Sequence, residues 1–425
     1  MLTKEENDLL CRVENKAPMG ELMKRHWIPV CMSEEVAEPD GAPVRLRILG
    51  EELVAFRDSE GKLGVMDGHC PHRGALLYLG RNEECGLRCL YHGWKFDVEG
   101  NVTEMASEPP ESTLRDKVKH NSYPVQECGG FVWSYIGPAE EMPEFQRPPF
   151  APDDDVQVSI LKISIPCNWA QIEEGQIDSA HSSSLHHSDM KPARVDGAAA
   201  DDKSWYRPST DRSPRMQIER TPYGFHYAAI RRPIKKAATH DYIRVTQYVA
   251  PFISLIPPNN LYNITSINVP MDDENTMFYF IAWGNPETCI KTGDWRKFCH
   301  AEPGVDLHED WTPVRNLQNN FRQDREAMKG ESTTGIMGIP NQDISMWVGM
   351  GPIVDRSHDT LGASDMAIVE FRRLMVDAAR AFSETGKALG IGPDVPAQTD
   401  IASYQEVLPK EVDWRTKVSH TQAAE

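Results

Sequence analysis

Two short pairs of metal-binding residue types constrain this chain most. Cys70 and His72 form a Cys-x-His pair, and after sixteen intervening residues Cys89 and His92 form a Cys-x-x-His pair. Each pair offers one thiol and one imidazole. If both pairs hold one centre, the two loops that carry them must lie side by side in the first third of the chain.

The mixture of cysteine and histidine within each pair indicates which centre this is. A Rieske 2Fe–2S cluster needs two thiolates on one iron and two imidazoles on the other. Gly74 and Gly93 follow the two pairs, and glycine lets the backbone approach a cluster closely. A structural zinc site is the alternative, although its pairs usually consist of two cysteines or two histidines. Cys85, four residues before Cys89, is not needed as a ligand.

The residues around these pairs predict a small all-β domain with the cluster loops at its tips. Short β-like runs are separated by hairpin signals such as Ser59–Lys62 and Glu99–Asn101. The predicted strands are Val44–Leu49, Leu53–Phe56, Leu63–Met66 and Phe131–Ile136. A capping box at Thr3 and Glu6 predicts a short helix before this domain.

The remaining chain predicts a larger α+β domain. Strand patterns occupy Val156–Ile165, Phe225–Arg231, Tyr242–Ala250, Ile264–Val269 and Thr276–Trp283. A helix is predicted over Ser364–Glu384, with Ser364 as its cap and Gly386 after its end. Proline is frequent between Pro138 and Pro152, which is typical of a connection between domains. We therefore predict an N-terminal helical segment over 1–25, an all-β cluster domain over 26–140 and an antiparallel sheet with helices over 141–425.

Charge and composition exclude several classes of function. The net charge of −19 argues against nucleic acid or an anionic membrane as a partner, and it suits a redox partner with a basic docking face. No apolar run reaches the roughly 20 residues of a transmembrane helix. The first ten residues lack the apolar segment of a secretory signal, and the nine cysteines are scattered. We expect a soluble cytoplasmic protein.

A second group of metal-binding residues lies in the larger domain. His181 and His186 are five residues apart, and Asp178 precedes the first by three. A mononuclear Fe(II) oxygenase needs two imidazoles and one carboxylate on one face, with positions left open for O2. The alternative is a polar loop, because His187 and several serines crowd the same segment.

The two groups together resemble the Rieske non-heme iron oxygenases, in particular the phthalate dioxygenase-like branch. The resemblance covers nearly the whole chain, and it implies a helix-grip-like catalytic domain. It implies that His181 and His186 bind the iron and that Asp178 connects the cluster of a neighbouring subunit to an iron ligand. It also implies a head-to-tail homotrimer, alone or as a stacked hexamer, because a heterologous interface that closes gives a ring.

The resemblance places the third iron ligand on a helix ahead of a Gly-Pro-Ile…Asp-Arg stretch, which here is Gly351–Arg356. Asp343 lies just before that stretch and is our choice, with Asp324 in reserve. An Asp after Pro340-Asn341 also suits a helix N-cap, so this alternative stays open.

The substrate is less constrained by the sequence. An aromatic dicarboxylate needs cations in an otherwise apolar pocket, and arginine binds carboxylates bidentately. Arg244, in the middle of a predicted strand, and Arg207, downstream of the iron motif, are the candidates.

Three functions are consistent with these features. The first is a dioxygenase that makes a cis-dihydrodiol from an aromatic dicarboxylate of the phthalate type with O2 and NADH-derived electrons from a flavin- and ferredoxin-type reductase. The second is a Rieske monooxygenase or O-demethylase acting on another aromatic acid. The third is a Rieske electron carrier without enzymatic activity, which needs only about 100 residues.

Overall fold

The computed structural model describes residues 1–192, 205–258 and 261–418. The chain forms two compact units, one over Val13–Phe145 and the other over Met1–Arg12 and Gln146–Glu425. The division falls inside the proline-rich connection, and the first twelve residues join the C-terminal unit instead of forming a separate segment. They form helix α1 (Lys4–Cys11), which begins at the predicted capping box of Thr3 and Glu6.

The N-terminal unit is built from short antiparallel strands, as predicted. A short helix, α2 (Pro18–Met23), precedes them. The strands are β1 (Trp27–Met32), β2 (Val44–Ile48), β3 (Glu51–Arg57), β4 (Leu63–Asp67), β5 (Arg81–Glu83), β6 (Gly86–Arg88), β7 (Trp94–Phe96), β8 (Val102–Met105), β9 (Ser122–Tyr123), β10 (Val125–Cys128) and β11 (Phe131–Tyr135). They form three sheets with strand orders β1-β11-β10, β2-β3-β4-β9 and β5-β6-β7-β8.

The C-terminal unit is an antiparallel sheet with helices, which confirms the predicted α+β class. Its strands are β12 (Gln157–Ile165), β13 (Met190–Pro192), β14 (Trp205–Arg207), β15 (Arg215–Thr221), β16 (Gly224–Arg231), β17 (His240–Val249), β18 (Ile253–Ile256), β19 (Asn263–Pro270), β20 (Thr276–Gly284) and β21 (Tyr404–Pro409). Its further helices are α3 (Trp169–Gln176), α4 (Thr292–Phe298), α5 (Ile339–Gly349), α6 (Met366–Thr385) and α7 (Arg415–Val418). The main sheet runs β12-β20-β19-β18-β17-β16-β15, and β21 also pairs with β17.

Helix α6 confirms the predicted C-terminal helix but not its cap. The helix begins after Asp365, and the Asp365 carboxylate accepts a hydrogen bond from the Gly362 backbone at 2.6 Å. Ser364 lies inside a short 3-10 turn (Ala363–Asp365) that precedes the helix. At the other end Gly386 has φ +71°, the left-handed conformation that glycine adopts freely. No described helix, the 20-residue α6 included, is both long enough and apolar enough to cross a membrane.

Polar contacts fix helix α3, which immediately precedes the predicted second metal motif. Its N-cap residue, Asn168, accepts from the Ala170 backbone and donates to the carbonyls of Cys11 and Asp273. Gln171 donates to the carbonyls of Trp347 and Gly351, which ties α3 to α5. These contacts place the segment after α3 against the helix that carries Asp343.

A buried ion-pair cluster anchors the same helix. Oε1 of Glu174 lies 2.7 Å from Nε of both Arg356 and Arg372, and the three residues are buried. Burial opposes ionisation of Glu174, but the two guanidinium groups outweigh it and lower the pKa of the carboxyl. Arg356 also donates to Asn7, so the cluster fastens α1 to the C-terminal unit.

We predict that Glu174→Ala lowers the free energy of unfolding by about 3–5 kcal/mol, because it removes the carboxylate that pairs with buried Arg356 and leaves Arg372 with Asp359 alone. Urea unfolding at neutral pH measures the change, and Glu287→Ala, at an exposed position, is the matched control. Because the folded-state pKa of Glu174 is lowered, its stabilising contribution is lost as the pH falls through that pKa. Equal stability of the two variants would contradict the anchoring role.

Candidate metal centres and substrate pocket

The two predicted cluster loops have the same backbone geometry. In the first loop, Cys70 N–H donates to the Ala75 carbonyl at 2.8 Å and Gly74 N–H donates to the Cys70 carbonyl at 2.9 Å. In the second loop, the corresponding bonds from Cys89 to Trp94 and from Gly93 to Cys89 measure 2.8 and 3.0 Å.

Both glycines need positive φ, +73° for Gly74 and +74° for Gly93. This requirement explains glycine at the equivalent position of each loop.

The side chains of the two pairs converge. Cys70 and Cys89 are each 3 % exposed, and the rings of His72 and His92 lie 4.4 Å apart, centroid to centroid. The indole of Trp94 stacks on His72 at 4.6 Å with 6° between the planes, which fixes the orientation of that imidazole. The loops therefore bring both thiols and both imidazoles to one end of the N-terminal unit.

This donor set fits a two-iron cluster. Burial raises the pKa of the Cys70 thiol to about 11, and the adjacent Cys89 adds to the effect, so two thiolates here require bound positive charge. Nδ1 of His72 is buried and has no hydrogen-bond partner among the described residues, as a metal ligand requires.

A single zinc ion fits less well. The described part of the chain contains one group of three or more metal-binding residues whose ligand atoms lie within 4.8 Å of one another, and these four residues are not that group. A tetrahedral zinc ion bonds its ligands at about 2.0–2.3 Å and would hold them closer together. Cys85 lies in the hairpin between β5 and β6, outside both loops.

The one group that meets this distance is His181, His186 and Asp343. Nε2 of His186 lies 3.1 Å from Oδ1 of Asp343, and Nε2 of His181 lies 3.5 Å from the same oxygen. The two Nε2 atoms are 3.2 Å apart. Two imidazoles and a carboxylate are the donor set of a non-heme iron site, so these residues fit the ion.

Local structure explains how two histidines five residues apart reach one point. After α3 ends, the segment forms a 3-10 turn over His181–Ser183 instead of a helix. Oδ1 of Asp178 accepts from the backbone of Ala180 at 2.7 Å and of His181 at 3.3 Å, which starts this turn. Oδ2 of Asp178 lies 3.5 Å from Nδ1 of His181, so the same carboxylate also faces the ring.

Electrostatics couple these groups. Burial disfavours the imidazolium form of His181, but the contact with Asp178 and the charge of Asp343 outweigh it and raise the His181 pKa. Burial likewise disfavours the carboxylate of Asp178, but His181 and the two backbone N–H groups lower its pKa. Asp178 is therefore an anion beside Nδ1 of His181, whose other ring nitrogen faces Asp343.

The structure also separates the two candidates for the third ligand. Asp343 lies inside helix α5, in its second turn, so it is not an N-cap. Asp324 is exposed and accepts from the backbone of Glu326 and Ala327 in a turn.

A cavity that opens to solvent adjoins His181, His186 and Asp343. Arg207 and Arg244, predicted from the sequence, both line it. Its apolar wall is formed by Ile256, Ile264, Phe280 and Ile339.

Sequence reasoning missed two polar residues beside this site. Arg231 is 1 % exposed, ends strand β16 and donates to Oγ and the carbonyl of Ser179 at 3.2 and 2.6 Å. Gln342 is also 1 % exposed and lies 2.7 Å from Nδ1 of His186. The sequence does contain a signal for Arg231, because an arginine ends an otherwise apolar strand pattern. It contains no signal for Gln342, because its partner His186 is 156 residues away.

We predict that His186→Ala greatly lowers the mononuclear iron content of the purified protein and leaves the visible absorption of the cluster unchanged. His187→Ala is the matched control, because His187 is the adjacent residue but is exposed. Iron analysis after removal of loosely bound metal distinguishes the two variants. Full iron content in His186→Ala would contradict the ligand assignment.

Comparisons with known proteins agree with this architecture. Residues 26–124 match the family described as Rieske [2Fe-2S] domain, and residues 134–425 match the family described as LigXa C-terminal domain like. The chain is 61 % identical to the phthalate 4,5-dioxygenase oxygenase subunit of Pseudomonas putida, over 98 % of this chain and 94 % of the relative. It is 37 % identical to the 3-chlorobenzoate-3,4-dioxygenase oxygenase subunit of Comamonas testosteroni, over 98 % of this chain and 97 % of the relative.

A solved structure shares the fold. The terminal oxygenase of carbazole 1,9a-dioxygenase from Novosphingobium sp. KA1 matches with a TM-score of 0.56 and 20 % identity, over 86 % of this chain and 96 % of that one.

The sequence identities of 61 % and 37 % to two oxygenase subunits, each over 98 % of this chain, exclude a Rieske electron carrier without enzymatic activity. The protein belongs to the Rieske non-heme iron oxygenases, enzymes that use a 2Fe–2S cluster and a mononuclear iron.

Proposed function

We propose that this chain is the oxygenase component of a dioxygenase that cis-dihydroxylates phthalate, with O2 and NADH-derived electrons delivered by a separate reductase. The observation that carries the proposal is the position of Arg207 and Arg244 on the wall of the cavity that adjoins the three candidate iron ligands. The 61 % identity to a phthalate 4,5-dioxygenase subunit supports the same substrate.

Arg207 is well suited to bind a carboxylate. It is 6 % exposed, and it donates to the hydroxyls of Ser183 and Ser182 at 3.1 and 2.9 Å. No carboxylate of the described residues forms an ion pair with it, and its Nε has no hydrogen-bond partner among them. Burial, together with Arg244 and Arg231, lowers the pKa of Arg207 to about 9. A bound anion would stabilise the charged guanidinium of Arg207, because it supplies the negative charge that the buried group lacks.

Arg244 is held in place by hydrogen bonds. It donates to the Tyr242 hydroxyl, the Gln405 side chain and the Pro257 carbonyl at 3.2, 3.2 and 2.8 Å. These contacts fix the guanidinium on the wall of the cavity. A dianion that carries two adjacent carboxylates on an aromatic ring matches two cations on one cavity beside an apolar wall.

When bound, the cluster supplies electrons and the iron activates O2; this chain supplies the geometry. We propose His181, His186 and Asp343 as the iron ligands, and Cys70, His72, Cys89 and His92 as the cluster ligands. Arg207 and Arg244 orient the substrate, and Ile256, Ile264, Phe280 and Ile339 exclude water from around the ring.

Asp178 is proposed as the electron bridge between the cluster of one subunit and the iron of the next. Its carboxylate faces His181, and the negative charge favours hydrogen bonding across such a junction. This role requires a homotrimer, alone or stacked as a hexamer, in which neighbouring chains close a ring. The net charge of −19 suits a reductase with a basic docking face.

A single turnover of chemically reduced protein with phthalate under isotopically labelled O2 tests the activity. We expect a dihydrodiol that carries both labelled atoms. One labelled atom in the product would support a monooxygenase or O-demethylase instead. No product, with both metal sites filled, would overturn phthalate as the substrate.

We predict that Arg244→Gln and Arg207→Gln each raise the KM for phthalate by roughly 10- to 100-fold, the effect of losing a hydrogen bond to a charged group. Arg373→Gln, at an exposed position, is the control and should leave KM unchanged. Steady-state kinetics with saturating reductase measure the effect. Unchanged phthalate affinity in both cavity variants would argue against these residues as carboxylate ligands.

We predict that Asp178→Asn retains both metals and yet slows turnover severely, because the neutral amide replaces the anion behind His181. Metal analysis, cluster absorption and stopped-flow oxidation of the reduced cluster measure the three properties separately. Cluster oxidation at the normal rate would contradict the bridge.

A further inference from the structure

Consecutive residues of helix α5 contact opposite edges of one imidazole. Oδ1 of Asp343 lies 3.1 Å from Nε2 of His186, and Oε1 of Gln342 lies 2.7 Å from Nδ1 of the same ring. Neighbouring helical side chains diverge by about 100°, so the two reach the ring from different directions. His186 is therefore held at both nitrogens by α5.

The orientation of the Gln342 amide is determined by its other contacts. Its Nε2 donates to Oδ2 of Asp189 and to the carbonyl of Ile336, both at 3.0 Å. A carboxylate and a carbonyl accept hydrogen bonds only, so the amide nitrogen must face them. The amide oxygen must then face His186.

This orientation fixes the tautomer of His186. An amide oxygen accepts only, so Nδ1 of His186 must carry the proton and donate to Gln342. Nε2 then has its lone pair free and directed toward Asp343 and Nε2 of His181. A metal ligand requires that state.

The two histidines differ in what lies behind them. The Asp178 carboxylate faces Nδ1 of His181, whereas a neutral amide accepts from Nδ1 of His186. Groups that accept from the outer nitrogen of a metal-binding histidine fix its tautomer and raise its basicity.

We propose that Gln342 is a positioning residue for the mononuclear iron, with Asp189 and Ile336 fixing its amide so that His186 presents Nε2 to the metal. This inference rests on the proposed iron site. It assigns a separate role to each of two adjacent residues: Asp343 binds the ion, and Gln342 sets the state of another ligand. Asp189 is exposed, and it acts on the iron site only through the hydrogen bond that it accepts from the Gln342 amide.

The experiment compares the affinity of the purified full-length protein for Fe(II) in competition with a ferrous chelator. The cluster absorption reports that each variant has folded. Gln342→Leu removes the acceptor at similar volume and should weaken Fe(II) binding by about 10- to 100-fold. Asp189→Ala should weaken it less, because the Ile336 carbonyl still orients the amide. Gln318→Leu, at an exposed position, is the control.

Gln342→Glu, made together with Asp189→Asn so that the new amide can donate to the glutamate, separates positioning from packing. The glutamate keeps an acceptor for Nδ1 of His186, so this variant should bind Fe(II) clearly more tightly than Gln342→Leu does. Wild-type affinity in Gln342→Leu, or equal affinities in Gln342→Leu and the double variant, would overturn the proposal. His186→Ala in the same series tests the iron site itself: if it also binds Fe(II) normally, the proposed site is wrong and not only the role of Gln342.

Discussion

The C-terminal unit holds three hydrogen-bond acceptors against one another. The lone pairs of two imidazole Nε2 atoms, 3.2 Å apart, and the oxygen of Asp343 face a common point. Without a cation, such an arrangement is repulsive, and desolvation increases the cost. The surrounding fold must therefore supply the rigidity that keeps these ligands in place. A bound metal ion would offset this repulsion, so the free energy of metal binding and the stability of the fold are coupled.

Helix α3 supplies much of that rigidity through buried polar groups. Glu173 contacts the side chains of Ser254 and Asn268, and burial raises its pKa to about 7, although both contacts oppose that shift. Glu174, one residue on, remains an anion between Arg356 and Arg372. Two adjacent glutamates thus fasten the helix to the sheet on one side and to the C-terminal segments on the other. The proposed metal motif begins directly after this helix. The fixed helix therefore restricts where His181 can lie.

The sequence predicted the parts of the protein that depend on local pattern. The spacings of the two Cys/His pairs and of Asp178, His181 and His186 indicated both metal sites, and strand periodicity indicated the α+β class. Contacts between distant segments could not be predicted in this way. Gln342 meets His186 across 156 residues, and Glu174 meets Arg356 across 182. The predicted Ser364 cap was wrong because a short 3-10 turn precedes the helix, which therefore begins one residue later, after Asp365. Arg207 and Arg244 were chosen by residue type and similarity, and only the fold placed them on one cavity.

We propose that one cavity combines an iron site with a receptor for an aromatic dicarboxylate. The most direct measurement is electron paramagnetic resonance of the mononuclear iron in the reduced protein, treated with nitric oxide, before and after addition of phthalate. We expect a nitrosyl-iron signal whose line shape changes on saturation with phthalate and is unaffected by an uncharged aromatic of similar size. A signal that phthalate leaves unchanged, in protein with its iron site filled, would contradict it.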